Sequence, residues 1–182
     1  MKSKLLFIAA GLLMSVILSA QEKPETAGKI MDDAFKLASK EGKSVMIVFH
    51  ASWCGWCHKM DSSMNDVSCK KMFESNYVTC HLTVDESADK KNLETPGADA
   101  FRKKYHGENE GLPFWLIFDK KGNLLADSRM LAPGETVAKE HSNVGCPASK
   151  EEVAYLVSVL KKTSKLNDDE LQIIGERFRK NN

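Results

Sequence analysis

Ser44-Val45-Met46-Ile47-Val48-Phe49, followed by Trp53-Cys54-Gly55-Trp56-Cys57-His58, is the stretch on which the reading of this chain turns. The first run is continuously apolar and rich in β-branched residues, the pattern of a strand buried on both faces of a parallel or mixed sheet. The second places two thiols two residues apart, close enough to form a small disulfide ring on the first turn of a helix. There the unpaired backbone N–H groups and the positive end of the helix dipole favour a thiolate over a thiol. A strand, a short turn and a Cys-x-x-Cys helix start therefore predict a redox pair, with Cys54 exposed at the helix end and Cys57 one turn deeper.

Upstream, Pro24 to Lys40 has helical spacing. Ile30, Ala34 and Leu37, interleaved with Met31, Phe35 and Ala38, form one apolar face, and Gly42 follows. Downstream, a helix is expected from Gly55 to about Met64 and a short one over Lys70–Ser75. Tyr77 to Asp85 alternates as a strand, with Val78, Cys80, Leu82 and Val84 on one face and His81 on the other. Glu86 to Glu94 reads as a polar surface loop, and Thr95-Pro96 as a helix start with Thr95 as cap. Ala98, Phe101 and Tyr105 make that helix's stripe, which Gly107 ends. Gly111-Leu112-Pro113 leads into the strand Phe114–Phe118, and Leu124–Ser128 returns antiparallel after a turn. Met130 to Pro147 shows no period and reads as a surface insertion. Ser149-Lys150-Glu151-Glu152 is a capping box whose helix buries Val153, Leu156, Val157 and Leu160. Asn167 or Asp168 caps a last segment with Leu171, Ile174 and Phe178, ending in a polar tail.

The N-terminus carries Lys2 and Lys4, an apolar run from Leu5 to Leu18, then Ser19-Ala20 before Gln21. A basic start, a short apolar run and small residues at the cut describe a secretory signal peptide over residues 1–20. The run is too short, and too broken by Gly11 and Ser15, for a membrane span. The expected product is exported, periplasmic or beyond. The leader holds two of the 26 basic residues and none of the 25 acidic ones, so the remainder has a formal charge of −1. No basic patch with interleaved aromatics points to nucleic acid. About 160 residues remain, enough for one domain. Of five cysteines, Cys69, Cys80 and Cys146 lie outside the pair, an odd remainder that speaks against a disulfide-stapled scaffold. Cys80 reads as a small core residue and Cys146 as a lone thiol in a variable loop.

The order of elements over residues 26–163 resembles the thioredoxin family, in particular exported bacterial members with Trp-Cys-Gly-Trp-Cys. Three separated features carry the likeness: the motif after a buried strand, Gly111-Leu112-Pro113, and Gly145 before the last domain helix. The resemblance implies an α/β thioredoxin-like fold, a central mixed β-sheet flanked by helices, with an extra C-terminal helix. The implied division is a domain over 21–165 and a helical extension over 166–182. It also implies a cis bond before Pro113, with Pro113 against the cysteine pair, Leu112 offering backbone to a substrate chain, and Gly145 on the same rim. Trp53, Gly55, Trp56, Leu112 and Pro113 then form the substrate face, and catalysis falls to Cys54 as nucleophile and Cys57 as resolving thiol. Two positions depart from the family. Val48 stands where thioredoxins bury an aspartate, and His81 stands where they carry a lysine, so His81 is a candidate modulator of proton transfer. His58 is a second candidate modulator, flanking the pair.

Cys54-Gly55-Trp56-Cys57-His58 also matches the c-type haem attachment pattern, with His58 as axial ligand. That reading needs a helical cleft, whereas this sequence supplies strands and a Leu-Pro in thioredoxin order. A zinc site lacks a second Cys-x-x-Cys, and His50, His106 and His141 are scattered without ligand spacing. No metal and no cofactor other than the Cys54–Cys57 disulfide is expected. The expected activity is thiol–disulfide exchange with cysteine-containing exported proteins, in the reducing direction. Electrons would come from a membrane electron-relay reductase, and the protein would be a monomer. The alternatives are an oxidase or isomerase of the same fold, or a binding module whose redox activity is lost.

Overall fold

The computed structural model describes residues 24–131 and 142–182. The expected signal peptide and His141 lie outside the described residues. Helix α1 (Ala27–Glu41) is capped by the Thr26 hydroxyl, which accepts the Lys29 N–H, and ends at Gly42. It packs through Ala27, Ala34 and Ala38, small residues that bring its axis close to the sheet, while Leu37 is exposed. The expected stripe was one position too wide, because alanines rather than leucine fill the tightest contact.

Strand β1 (Ser44–His50) is central. It runs parallel to β2 (Tyr77–Thr83) and antiparallel to β3 (Phe114–Phe118), and β4 (Leu124–Asp127) completes the order β2-β1-β3-β4. Alternation along β1 divides the core. Val45, Ile47 and Phe49 join the cluster under α1, which also holds Ala98 of α4 (Ala98–Lys104). Met46 and Val48 face the other way, into a cluster with Met60 and Met64 of α2 (Gly55–Met64), Phe73 of α3 (Lys70–Asn76), Leu156 and Leu160 of α5 (Lys150–Thr163), and Ile174 and Phe178 of α6 (Asp168–Phe178). The two capping boxes, Ser149 with Glu152 and Asn167 with Glu170, start α5 and α6.

Several expectations are corrected. Strand β2 stops at Thr83, and Asp85 turns left-handed at φ 54°. The polar run after it is not all open loop: Glu86 is buried, and Ala88–Leu93 winds as a 3-10 turn. Thr95 does not cap α4. Its hydroxyl accepts the Thr83 N–H at 3.0 Å and its own N–H donates to the Thr83 carbonyl, so it terminates β2, and Gly97 precedes the helix. Gly107 is needed for proximity rather than as a helix stop, since a Cβ there would lie 2.4 Å from the Phe114 ring. In the stretch read as a surface insertion, Gly145, Cys146 and Pro147 are buried. The tail is not free either. Asn181 is buried, accepting the Ser63 hydroxyl at 3.0 Å and donating to the Pro147 carbonyl at 3.3 Å.

Candidate active site

Cys54 and Cys57 form a disulfide with their Cα atoms 5.3 Å apart. The end of β1 aims the chain at this point. Ala51 is buried, the Cys54 N–H donates to its carbonyl at 3.0 Å, and Cys54 becomes the N-cap of α2. The expectation of an exposed Cys54 is corrected: in this oxidised form Cys54 is 3% exposed and Cys57 2%. Both sulfurs pack with Ala51 and with Leu112, which arrives from far along the chain. What separates the two thiols is polarity. The Cys54 Sγ accepts the Cys57 backbone N–H at 3.1 Å at the positive end of α2. When the pair is reduced, that donor and the helix dipole favour a thiolate on Cys54.

The flanking tryptophans are held, not loose. Trp53 is 60% exposed and its indole N–H donates to the Asp85 carbonyl at 2.8 Å, while Trp56 lies beneath the Lys59 ammonium, 4.1 Å from the ring centre. The Leu112–Pro113 bond is cis, as the resemblance implied, and Pro113 is buried. Gly145 sits against it at φ 54°. A Cβ there would meet the Pro113 carbonyl at 3.4 Å, and the Gly145 carbonyl accepts the Trp115 indole N–H at 2.9 Å. Asn143 ties the two loops, donating from Nδ2 to the carbonyls of Gly111 (2.6 Å) and Pro113 (3.1 Å).

The two candidate modulators occupy different places. His58 folds back so that Nε2 lies 3.1 Å from the Ser52 carbonyl. A carbonyl only accepts, so that nitrogen carries the proton and the ring braces the turn. His81 is half a strand away, its Nε2 2.9 Å from Asp61 Oδ1 on α2 and its ring 5.1 Å from that of His50. Burial, and secondly the neighbouring His81, push the His50 imidazole below its usual pKa.

Sequence reasoning missed Glu86. Its carboxylate accepts both the backbone N–H of Ser52 (2.5 Å) and the Ser52 hydroxyl (2.8 Å), two residues before Cys54. The Ser52 backbone N–H is the chief cause holding this carboxyl below its ordinary pKa, against the opposing effect of burial. Its neighbour Asp85 is gripped by both terminal nitrogens of the buried Arg102, at 2.6 and 2.9 Å. Nothing in the composition of residues 86–94 singles out the buried Glu86 from the exposed Asp89 and the half-buried Glu94.

Cys69, Cys80 and Cys146 are free. Burial pushes the Cys80 and Cys146 thiols up to about 12 and raises Cys69 in the same direction. Cys146 lies in the loop before α5 but is part of the core, with Asn181 Nδ2 donating to its sulfur at 3.3 Å. Iodoacetamide at pH 8 should therefore label the reduced native protein fastest at Cys54, whose thiolate the helix end favours, and reach all five cysteines only after unfolding. Rapid native labelling of Cys80 or Cys146 would contradict this placement.

Comparison with known proteins agrees with the geometry. Residues 31–144 match the thioredoxin-like domain family. Among solved structures, a disulphide isomerase from Xylella fastidiosa Temecula1 is 17% identical, with a TM-score of 0.43 over 53% of this chain and 69% of that one. A DsbH oxidoreductase is 18% identical, with a TM-score of 0.41 over 88% of this chain and 95% of that one. The C-terminal domain of DsbD from Neisseria meningitidis in its oxidised form is 20% identical, with a TM-score of 0.41 over 57% and 84%. No curated protein matches. With a buried strand running into a disulfide at the N-terminus of α2 and a domain match over residues 31–144, the chain belongs to the thioredoxin-like family and carries its disulfide oxidoreductase fold with the Cys54–Cys57 pair.

Proposed function

We propose that this thiol:disulfide oxidoreductase is exported and works as a reductase of disulfides in other exported proteins. The observation that carries the reading is the Cys54 sulfur at the N-cap of α2, accepting the Cys57 N–H. The Cys54 thiolate attacks one sulfur of a substrate disulfide, forming a mixed disulfide and releasing the other substrate sulfur as a thiolate that takes up a proton. The Cys57 thiolate then attacks Cys54, closes the Cys54–Cys57 bond and releases the second substrate thiolate. Two electrons pass from the pair to the substrate, and a dithiol donor, fed by a membrane electron relay, restores the reduced pair. No other cofactor is needed. Trp53, Gly55, Trp56, Leu112 and Pro113 form the face that receives the substrate. Residues 1–20, with their basic start and short apolar run, support export.

The reducing direction is supported by charge. Strong oxidants stabilise their reduced form, chiefly through the thiolate. Here the ionised Glu86 carboxylate stands behind Ser52 and opposes negative charge at Cys54. Equilibration with glutathione should give a potential near the roughly −270 mV of reducing thioredoxins, not the roughly −120 mV of dedicated oxidants. Glu86→Gln should shift it to a less negative value. A wild-type potential near the oxidant value would replace the reductase reading with that of an oxidase.

A further inference from the structure

A groove of about 600 Å³ opens beside Gly55, the residue between the motif's Cys54 and Trp56, and runs along α2 to the end of α6. Its walls are basic: His58 and Lys59 come from α2, Arg177 from α6, and Lys180 from the 3-10 turn Arg179–Asn181 that follows. Asp66 is the one acidic side chain among its lining residues, and it is already engaged, its Oδ2 lying 2.8 Å from Arg177 Nε. The backbone N–H of Ser68, then its hydroxyl, then Arg177 hold the Asp66 carboxyl at about 2, so this pair stays ionised at neutral pH and cancels internally. Among the lining side chains, Lys59 and Lys180 keep ammonium groups with no carboxylate side chain as partner. Lys59 is fixed in place by donating to the Asn181 carbonyl at 3.0 Å and by lying over the ring of Trp56, the residue before Cys57. On the opposite flank of the active turn stand Glu86, held by Ser52, and Asp85, whose charge is paired with Arg102.

We propose that this groove recognises an acidic segment next to the reactive cysteine of the disulfide substrate, and so selects among substrates. The inference rests on the exchange reaction proposed above. A chain joined to Cys54 and leading away past Gly55 passes over Lys59 toward Lys180, where carboxylates meet two ammonium groups that have no acidic partner in the groove. Without its leader the chain is slightly acidic, so a general attraction for anions is not expected and the effect must be local. Exposed charges act over about 8 Å at physiological salt, which makes the preference salt-dependent and felt mainly in the association step.

The test compares two synthetic disulfide peptides of equal length, one with Asp and Glu and one with Lys flanking the cystine, against a neutral small disulfide. The readout is the ratio of the two peptide rate constants within each protein. At low salt the acidic peptide should react at least tenfold faster than the basic one, and the ratio should fall toward one in 1 M salt. The Lys59→Glu/Lys180→Glu double variant should lower the ratio at least fivefold, while Lys36→Glu, on α1 across the sheet, should leave it unchanged. A ratio near one at low salt in the wild type overturns the proposal. Failure to exchange any of the three disulfides sinks the reductase reading instead. In that case titration of tryptophan fluorescence with serine-substituted versions of the same peptides decides the groove. Salt-sensitive binding of the acidic version alone supports it, and equal binding of both overturns it. Binding to anionic lipid vesicles but not to the acidic peptide also overturns it, in favour of a membrane surface.

Discussion

Cys54→Ser protein should exchange no disulfides above the uncatalysed background, whereas Cys57→Ser protein should accumulate mixed disulfides through Cys54. The asymmetry does not come from exposure, because both sulfurs are almost equally buried in the oxidised form. It comes from the backbone N–H of Cys57 aimed at the Cys54 sulfur and from the helix dipole, which act on Cys54 and not on its partner. A serine hydroxyl at position 54 accepts the same hydrogen bond but does not ionise near neutral pH, so the first attack is lost. With serine at 57 the first attack proceeds and the second does not, and the substrate stays attached. Gel mobility under non-reducing conditions reads both outcomes. Equal alkylation rates for the two reduced thiols at neutral pH would contradict the assignment.

Val48→Asp should destabilise the protein and accelerate the second attack. Val48 is 1% exposed, lies opposite His81 on β2 and Trp115 on β3, and belongs to the apolar cluster that includes Met60 and Met64 of α2. A carboxyl placed there finds few partners and costs about 1–3 kcal/mol. Burial raises its folded-state pKa above the ordinary value of about 3.9. The unfolded chain then loses its proton first as pH rises, so the penalty grows from about pH 4 up to the raised folded value. In the wild type Cys57 is buried with Ala51 and Leu112, apolar surroundings that disfavour its thiolate. Resolution should be the slow step, rising by up to about tenfold per pH unit below the thiol pKa. The aspartate provides a proton acceptor and should flatten that profile. Wild-type resolution that is fast and level between pH 6 and 9 would refute this account and turn attention to the Asp61–His81 pair.

The parts of the molecule that were legible in the sequence are those that local rules decide. Strand β1 shows as an unbroken apolar run, the redox pair as a Cys-x-x-Cys after it, α5 as a capping box and α6 as a capped amphipathic segment, because each depends on residues only a few positions apart. The register that sets Val48 beside His81 is a finding of the structure, since β1 and β2 pair in parallel across the intervening α2 and α3. What was not legible depends on polar groups meeting across long separations. Glu86 holding Ser52 and Asn181 reaching Ser63 and Cys146 are ordinary surface residue types that folding buries, and Asn143, half-buried, joins Gly111 to Pro113. The burial of Cys54 has the same origin, since the covering side chain, Leu112, comes from the loop before β3.

The most direct measurement is peptide mapping of the reduced protein before and after incubation with a disulfide-bonded protein substrate, with free thiols blocked by alkylation at each stage. The account predicts that Cys54 and Cys57 go from alkylated to linked to each other as substrate thiols appear in equal number, while Cys69, Cys80 and Cys146 do not change. Substrate reduction that leaves Cys54 and Cys57 unlinked, or that links either of them to Cys146, would contradict it.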